Sequence, residues 1–134
     1  MKTLRFVLLI VLMMLLNASA EERDYRDVIR HVSIIRLIAS PEQYDGKRVN
    51  IVGFLRLEFE GDAIYLHRED YLKGMMANAV GLILPDRKAF SKYDKQYVLV
   101  EGTFVRCDDS RSACCFSGHI EKINRLEPWT FNRE

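Results

Sequence analysis

The chain has 134 residues, with 20 lysines and arginines against 19 aspartates and glutamates, and a formal net charge of +1. That length suits one modest hydrophobic core, and the near-neutral balance argues against a dedicated binder of phosphate backbones, which carries a clear basic excess. No internal repeat, low-complexity tract or block of like charge interrupts the chain, so its composition is that of an ordinary folded globule.

The first twenty residues read as a separate unit. Lys2 and Arg5 precede an unbroken apolar run from Phe6 to Leu16, and Asn17-Ala18-Ser19-Ala20 ends in small residues at cleavage spacing. This is the pattern of a secretory signal peptide cut after Ala20. The rival, an uncleaved anchor, needs an apolar run of roughly 20 residues, which this one does not reach. No cysteine stands near the cut for lipid attachment, and the sequon Asn17-Ala18-Ser19 would leave with the signal. Without Lys2 and Arg5 the basic count falls to 18 against 19 acidic residues, a balance of −1 for a mature chain that is exported, periplasmic or secreted, with no stable membrane span. Residues 21–32, EERDYRDVIRHV, form a charge-rich lead-in, loose or briefly helical, and residues 33–134 form the domain.

Ser33 precedes Ile34, Ile35, Leu37 and Ile38, an apolar stripe at helical spacing that could close one end of a barrel. Ser40-Pro41-Glu42-Gln43 has the sequence of a capping box with proline at the first helical position. Asp45-Gly46 then turns the chain into a long alternating strand, with Val49, Ile51, Gly53, Leu55 and Leu57 on one face and Arg48, Asn50, Arg56 and Glu58 on the other. A glycine in the middle of such a strand allows a sharp bend, so that one strand can serve two sides of a small barrel. Glu60-Gly61-Asp62 is the next turn, and Ala63 to His67 is the return strand of a hairpin. Arg68 to Met76 loses the alternation and reads as a loop or helical turn. Asn78 to Leu84 is a third strand stopped by Pro85-Asp86, and Lys88 to Lys95, with Phe90 and Tyr93 three apart, is a connecting helix or long loop. Gln96 to Val105 is a fourth strand, again with a central glycine, Gly102. Gly118 to Leu126 is a fifth, with Ile120 inward and Ile123 a candidate to join it.

Five such strands, a helical connection between the third and fourth, and central glycines in the first and fourth indicate a mainly β fold. The expected architecture is a five-stranded OB-fold-like Greek-key barrel with one or two short helices. The phrases Pro41-Glu42-Gln43-Tyr44-Asp45-Gly46-Lys47, Val49-Asn50-Ile51-Val52-Gly53-Phe54 and Tyr97-Val98-Leu99-Val100-Glu101-Gly102-Thr103-Phe104 resemble those of OB-fold proteins, in particular small exported bacterial ones of unassigned function. The resemblance spans Ser33 to Leu126 and lies in turns and core positions, so it implies a fold and no ligand.

Three constellations are candidates for chemistry. Cys107, Cys114 and Cys115 flank the loop before the fifth strand, and in an oxidising compartment Cys107 paired with either neighbour would staple it. The chain-entropy model assigns such a short loop on the order of 2–3 kcal/mol. The sharper reading is a thiol or soft-metal site, although three cysteines lack the paired spacing of a zinc site. Second, the acidic residues Glu58, Glu60, Asp62, Glu69 and Asp70 gather round the first hairpin, but they coincide with turn chemistry and no nucleophile accompanies them. His31, His67 and His119 are scattered with no metal-binding spacing. Third, Phe54, Arg56, Tyr65, His67, Arg68 and Tyr71 lie on or beside the first two strands, where aromatics could stack and cations could hold anions. The competing reading has Phe54 or Tyr65 filling the barrel or packing under the loop from Arg68 to Met76. The sequence therefore reads as a binding or adaptor module for an envelope protein or small ligand, not an enzyme, with no cofactor or metal. A nucleic-acid or oligosaccharide binder and a thiol-redox or soft-metal protein are the alternatives.

Overall fold

The computed structural model describes Met1 and residues 29–59, 61–108 and 115–131. The signal-peptide segment, most of the lead-in and Cys114 lie outside the described residues. Among those described, no helix is long and apolar enough to cross a membrane.

In chain order the elements are β1 (Arg30–His31), α1 (Ile34–Ala39), a 3-10 turn at Pro41–Gln43, β2 (Arg48–Arg56) and β3 (Ala63–Tyr65). Then come α2 (Arg68–Leu72), a 3-10 turn at Met76–Asn78, β4 (Ala79–Leu82), α3 (Arg87–Phe90) and a 3-10 turn at Ser91–Tyr93. β5 (Tyr97–Arg106) and β6 (Gly118–Pro128) complete the chain. The strands pair in the order β2-β3-β4-β6-β5, and a long antiparallel ladder from Arg48↔Thr103 to Phe54↔Tyr97 joins β5 back to β2, closing a five-stranded barrel. Only the β4–β6 contact within the barrel is parallel. Closure leaves no free barrel edge, which is how a small β fold avoids pairing with other chains. This is the mainly β, OB-fold-like arrangement expected from the alternation, with more helical turns than the one or two anticipated.

The inward set is the expected one. Val49, Ile51 and Leu55 of β2 pack with Ile64, Val80, Val98, Val100, Phe104 and Ile120 in one buried cluster, which Ile34 and Leu37 of α1 join. Ser33 caps α1, its hydroxyl accepting from the Arg36 N–H at 3.4 Å. Ser40 does not form the expected capping box: its side chain makes no cap bond, and its carbonyl instead accepts from the Gln43 N–H at 3.1 Å. One turn of 3-10 helix is too tight and too short for the reciprocal side-chain pattern of an α-helical start. The end of the lead-in is also neither loose nor helical, because Arg30 and His31 run parallel to Val49 and Asn50 as a sixth, short strand.

Gly53 and Gly102 are required by close approach. A Cβ on Gly53 would lie 2.5 Å from the Tyr65 carbonyl oxygen and 2.7 Å from Ile34 Cδ1. One on Gly102 would lie 2.6 Å from Ile120 Cγ2 and 2.7 Å from the Glu121 carbonyl oxygen. Gly102 faces a bulge, where the β5–β6 register shifts between Glu101 and Thr103 and Lys122 adopts φ 50°. Extra residues in one strand increase local twist, which a narrow barrel needs. Both sites oppose backbone as well as side chains, so relaxation is limited. We expect Gly53→Val and Gly102→Val each to cost about 3 kcal/mol or more, lowering the melting temperature by on the order of 10 °C. Thermal melts that match the parent would contradict this packing.

Candidate functional site

Outward-facing residues of three strands align in one row. Tyr97 of β5 is directly opposite Phe54 of β2, and Phe54 is directly opposite Tyr65 of β3. Directly paired residues share a sheet face, so three aromatics cross the outside of the barrel side by side. The helix α2 lies over this row. Its position is set by Asp70, which is buried and accepts from the His67 N–H at 2.9 Å and from Asn78 Nδ2 at 2.8 Å. Tyr71 is thereby placed edge-on to Tyr65 with ring centroids 5.5 Å apart, and 6.3 Å from Phe54, which itself meets Tyr97 edge-on at 5.6 Å. Phe54 and Tyr65 are only 4% and 6% exposed. Of the competing readings for these two aromatics, packing beneath the Arg68–Met76 segment is the one observed.

Arg56 is the next outward residue of β2, and it is 7% exposed. Its guanidinium donates through Nη1 to both carboxylate oxygens of Asp94, each at 2.7 Å, and through Nη2 to Glu58 and to the Tyr71 hydroxyl, each at 3.0 Å. The guanidinium carbon also lies 4.3 Å from the centre of the Tyr71 ring. The Tyr71 hydroxyl in turn donates to Glu58 at 2.6 Å, and Asp94 accepts from the Leu57 N–H at 2.9 Å. Burial alone would pull the Arg56 pKa down, but the bonds to Tyr71, Glu58 and Asp94 outweigh it and raise the pKa. Glu58 is held below the usual carboxylate range by the Tyr71 hydroxyl and then by Arg56. For Tyr65, burial followed by the nearby Glu58 charge pushes the phenol up. Nε of Arg56 is buried without a hydrogen-bond partner, and the other guanidinium donors are committed to the protein itself.

Beside this cluster opens a cleft of about 550 Å³ between the end of β2, α2 and the turn into β5. Phe54, Tyr71, Leu72 and Tyr97 supply its apolar surface, and Arg56, Arg68, Lys95 and Gln96 its polar surface. Among the described residues, three cations line the cleft and no carboxylate does. Glu58 and Asp94, which neutralise Arg56, line separate clefts instead. Among the described residues, Arg68 and Lys95 make no ion pair. Lys95 sits in the left-handed region at φ 64°, its N–H donating to the Leu55 carbonyl at 3.0 Å, and the Arg68 N–H donates to the Tyr97 hydroxyl at 3.2 Å. Leu72 and Tyr97 are the accessible apolar part of the cleft, at 60% and 40% exposure.

The structure thus brings five of the six aromatic and cationic candidates to one side of the barrel in different capacities. Arg68 lines the cleft as an exposed residue and Tyr71 as a half-buried one, Arg56 lines it with its charge already satisfied, and Phe54 is a buried wall. Tyr65 lines a second cleft of about 470 Å³ across Tyr71, with Glu58, Met76, Cys115 and Phe116. His67 is exposed and outside the lining of either cleft. Lys95, Gln96 and Tyr97 escape the sequence reading because they enter through the long-range β2–β5 ladder, and Leu72 because the segment Arg68 to Met76, read as a loop or helical turn, turns it toward the cleft on α2. The one local clue is that Tyr97 falls on the outward phase of its strand. Of the acidic group, Asp62 pairs with Arg87 at 2.9 Å and Asp70 holds α2, so these carboxylates serve structure. Cys115 is a free, exposed thiol, which removes it as the Cys107 partner, and no disulfide joins two described residues. Among the described residues, no group of three or more metal-ligating side chains converges. No known protein-family model matches the chain, and a comparison with curated proteins finds no match.

The lowered pKa of Glu58 sets a pH dependence. A carboxylate whose folded pKa is depressed adds stability that is fully present above its ordinary value and is lost as pH falls through the depressed one. Glu58 is half exposed, so its contribution is that of a surface pair plus one hydrogen bond, about 0.5–1 kcal/mol. Glu58→Gln should therefore lower stability by this amount at neutral pH. Denaturant titrations of the two proteins should converge in acid, below the depressed pKa, and a constant difference at all pH values would refute the assignment.

Proposed function

We propose that this protein is an exported small barrel that acts as a binding or adaptor module, holding a protein or other envelope component in the cleft between β2, α2 and the turn into β5. The observation that carries this reading is the unopposed positive lining of that cleft beside exposed apolar side chains. Arg56 and Asp62 are held in ion pairs within the fold. Arg68 and Lys95 instead line a concave, partly apolar surface and make no ion pair among the described residues, which is the usual make-up of a recognition site. The signal-like start supports export, and the free Cys115 leaves a bridge between Cys107 and Cys114 as the loop staple that export would form. A strand-tracking nucleic-acid mode is less well supported, because Phe54 and Tyr65 are too buried for bases to stack on.

A photoreactive phenylalanine analogue placed at Gln96, inside the cleft, should give a discrete cross-linked product in intact cells that produce the protein. The same analogue at Lys122, on the exposed bulge of β6, should not. Equal yields from both positions, or none from Gln96, would remove the cleft from the proposal.

A further inference from the structure

Taking the cleft as the binding site, we infer that its occupant is an acidic peptide segment of a partner protein, with an apolar side chain next to its carboxylates. The charge of the lining selects an anion, since among the described residues Arg68 and Lys95 make no ion pair and no carboxylate lines the same space. Exposed Leu72 and Tyr97 supply the seat for an apolar side chain between those cations.

The remaining polar atoms of the cleft distinguish a peptide from a sugar or a nucleotide. Sugars are held by networks of side-chain amides, carboxylates and hydroxyls, and here such groups are already engaged. Gln96 Nε2 donates to the Lys92 carbonyl at 2.9 Å, and the Tyr71 hydroxyl donates to Glu58 at 2.6 Å. The Tyr97 hydroxyl accepts from the Arg68 N–H at 3.2 Å. Beyond the remaining amide sites of Gln96 and the Tyr97 O–H, what stays open is positive charge and apolar surface. A nucleic-acid strand would need a run of ring faces for stacking, yet beside the exposed Tyr97 the neighbouring rings are closed off: Phe54 is buried edge-on against Tyr97 and Tyr71 packs edge-on over Tyr65. An extended segment that presents carboxylates to Arg68 and Lys95 and a leucine or phenylalanine to Leu72 and Tyr97 uses both the charge and the apolar surface. The carboxylate could come from an acidic side chain or from a free chain end, and both supply the same chemistry.

The test is fluorescence polarisation of the full purified protein with a labelled octapeptide alternating glutamate with leucine and phenylalanine, in amidated and free-acid forms. Controls are the same peptide with lysine for glutamate, an oligothymidylate and an oligogalacturonate. The acidic peptide should bind and weaken as salt rises, and the lysine peptide should not bind. Arg68→Ala combined with Lys95→Asn, which tolerates the left-handed backbone, should weaken binding about tenfold or more, in keeping with the loss of two charge contacts. Equal binding of the amidated form assigns recognition to side-chain carboxylates, and a preference for the free acid assigns it to a chain end. Absence of acidic-peptide binding, equal binding of the lysine peptide, or unchanged affinity in the double variant, checked for parent-like melting, would overturn the inference. If an oligogalacturonate or oligothymidylate binds instead and the double variant loses it, the peptide is excluded while the cleft remains a binding site. If no probe binds and cross-linking from Gln96 also fails, the binding-site reading falls with it.

Discussion

A cation taken out of water must be neutralised where it sits, and Arg56 imposes that requirement on the outer wall of this barrel. The cost of stripping water from an arginine is several kcal/mol unless its donors find acceptors. Here the acceptors come from three separate places in the chain: Glu58 in the turn after β2, Tyr71 in α2 and Asp94 in the turn before β5. One buried guanidinium thereby ties a helix and two turns to the end of one strand. Asp94 adds a backbone anchor through the Leu57 N–H, which fixes the turn that displays Lys95 and leads into Tyr97. The cleft is a by-product of this arrangement. The carboxylates that satisfy Arg56 line neighbouring clefts, and among the described residues the cations Arg68 and Lys95 at its rim make no ion pair.

The barrel underneath gives this network a rigid base. Gly53 lets β2 pass under the Tyr65 carbonyl, and it pairs with Val98 one residue before Phe54, the position at which the ladders to β3 and β5 overlap. Tyr97, Phe54 and Tyr65 then fall in register on the outside. Had the strand carried a side chain at position 53, the separation of β2 and β3 would have to grow, and the aromatic row on which α2 rests would open. Fold and site are therefore linked by the same strand: its inward phase builds the core and its outward phase builds the wall of the cleft.

Much of this was legible in the sequence, and the limits have physical causes. Alternation in β2 and β5, with glycine at the crowded positions, is a local signal, so the strands and their inward residues could be read directly. That Phe54, Arg56 and Tyr71 share one side of the barrel was also readable, because they are close in sequence and in type. The role of Arg56 was not, since a charged residue on an outward strand phase looks exposed until Asp94, 38 positions on, is known to reach it. Lys95, Gln96 and Tyr97 were missed for the same reason, as only the β2–β5 register delivers them to Phe54. Ser40 shows the opposite error: the residues of a capping box are present, but a single 3-10 turn leaves the hydroxyl without its usual donor.

The central claim is that Arg56 and Asp94 are energetically coupled across the barrel wall, and a double-mutant cycle in chemical denaturation measures that coupling. Arg56→Met, Asp94→Asn and the double variant, compared with the parent at neutral pH, should give an interaction energy of about 0.5–3 kcal/mol, the range of contacting residues in one hydrogen-bonded network. The double variant should then be less destabilised than the two single losses added together. An interaction energy near zero would mean that Arg56 does not tie the turn before β5 to β2, and the account of how the cleft is built would fail.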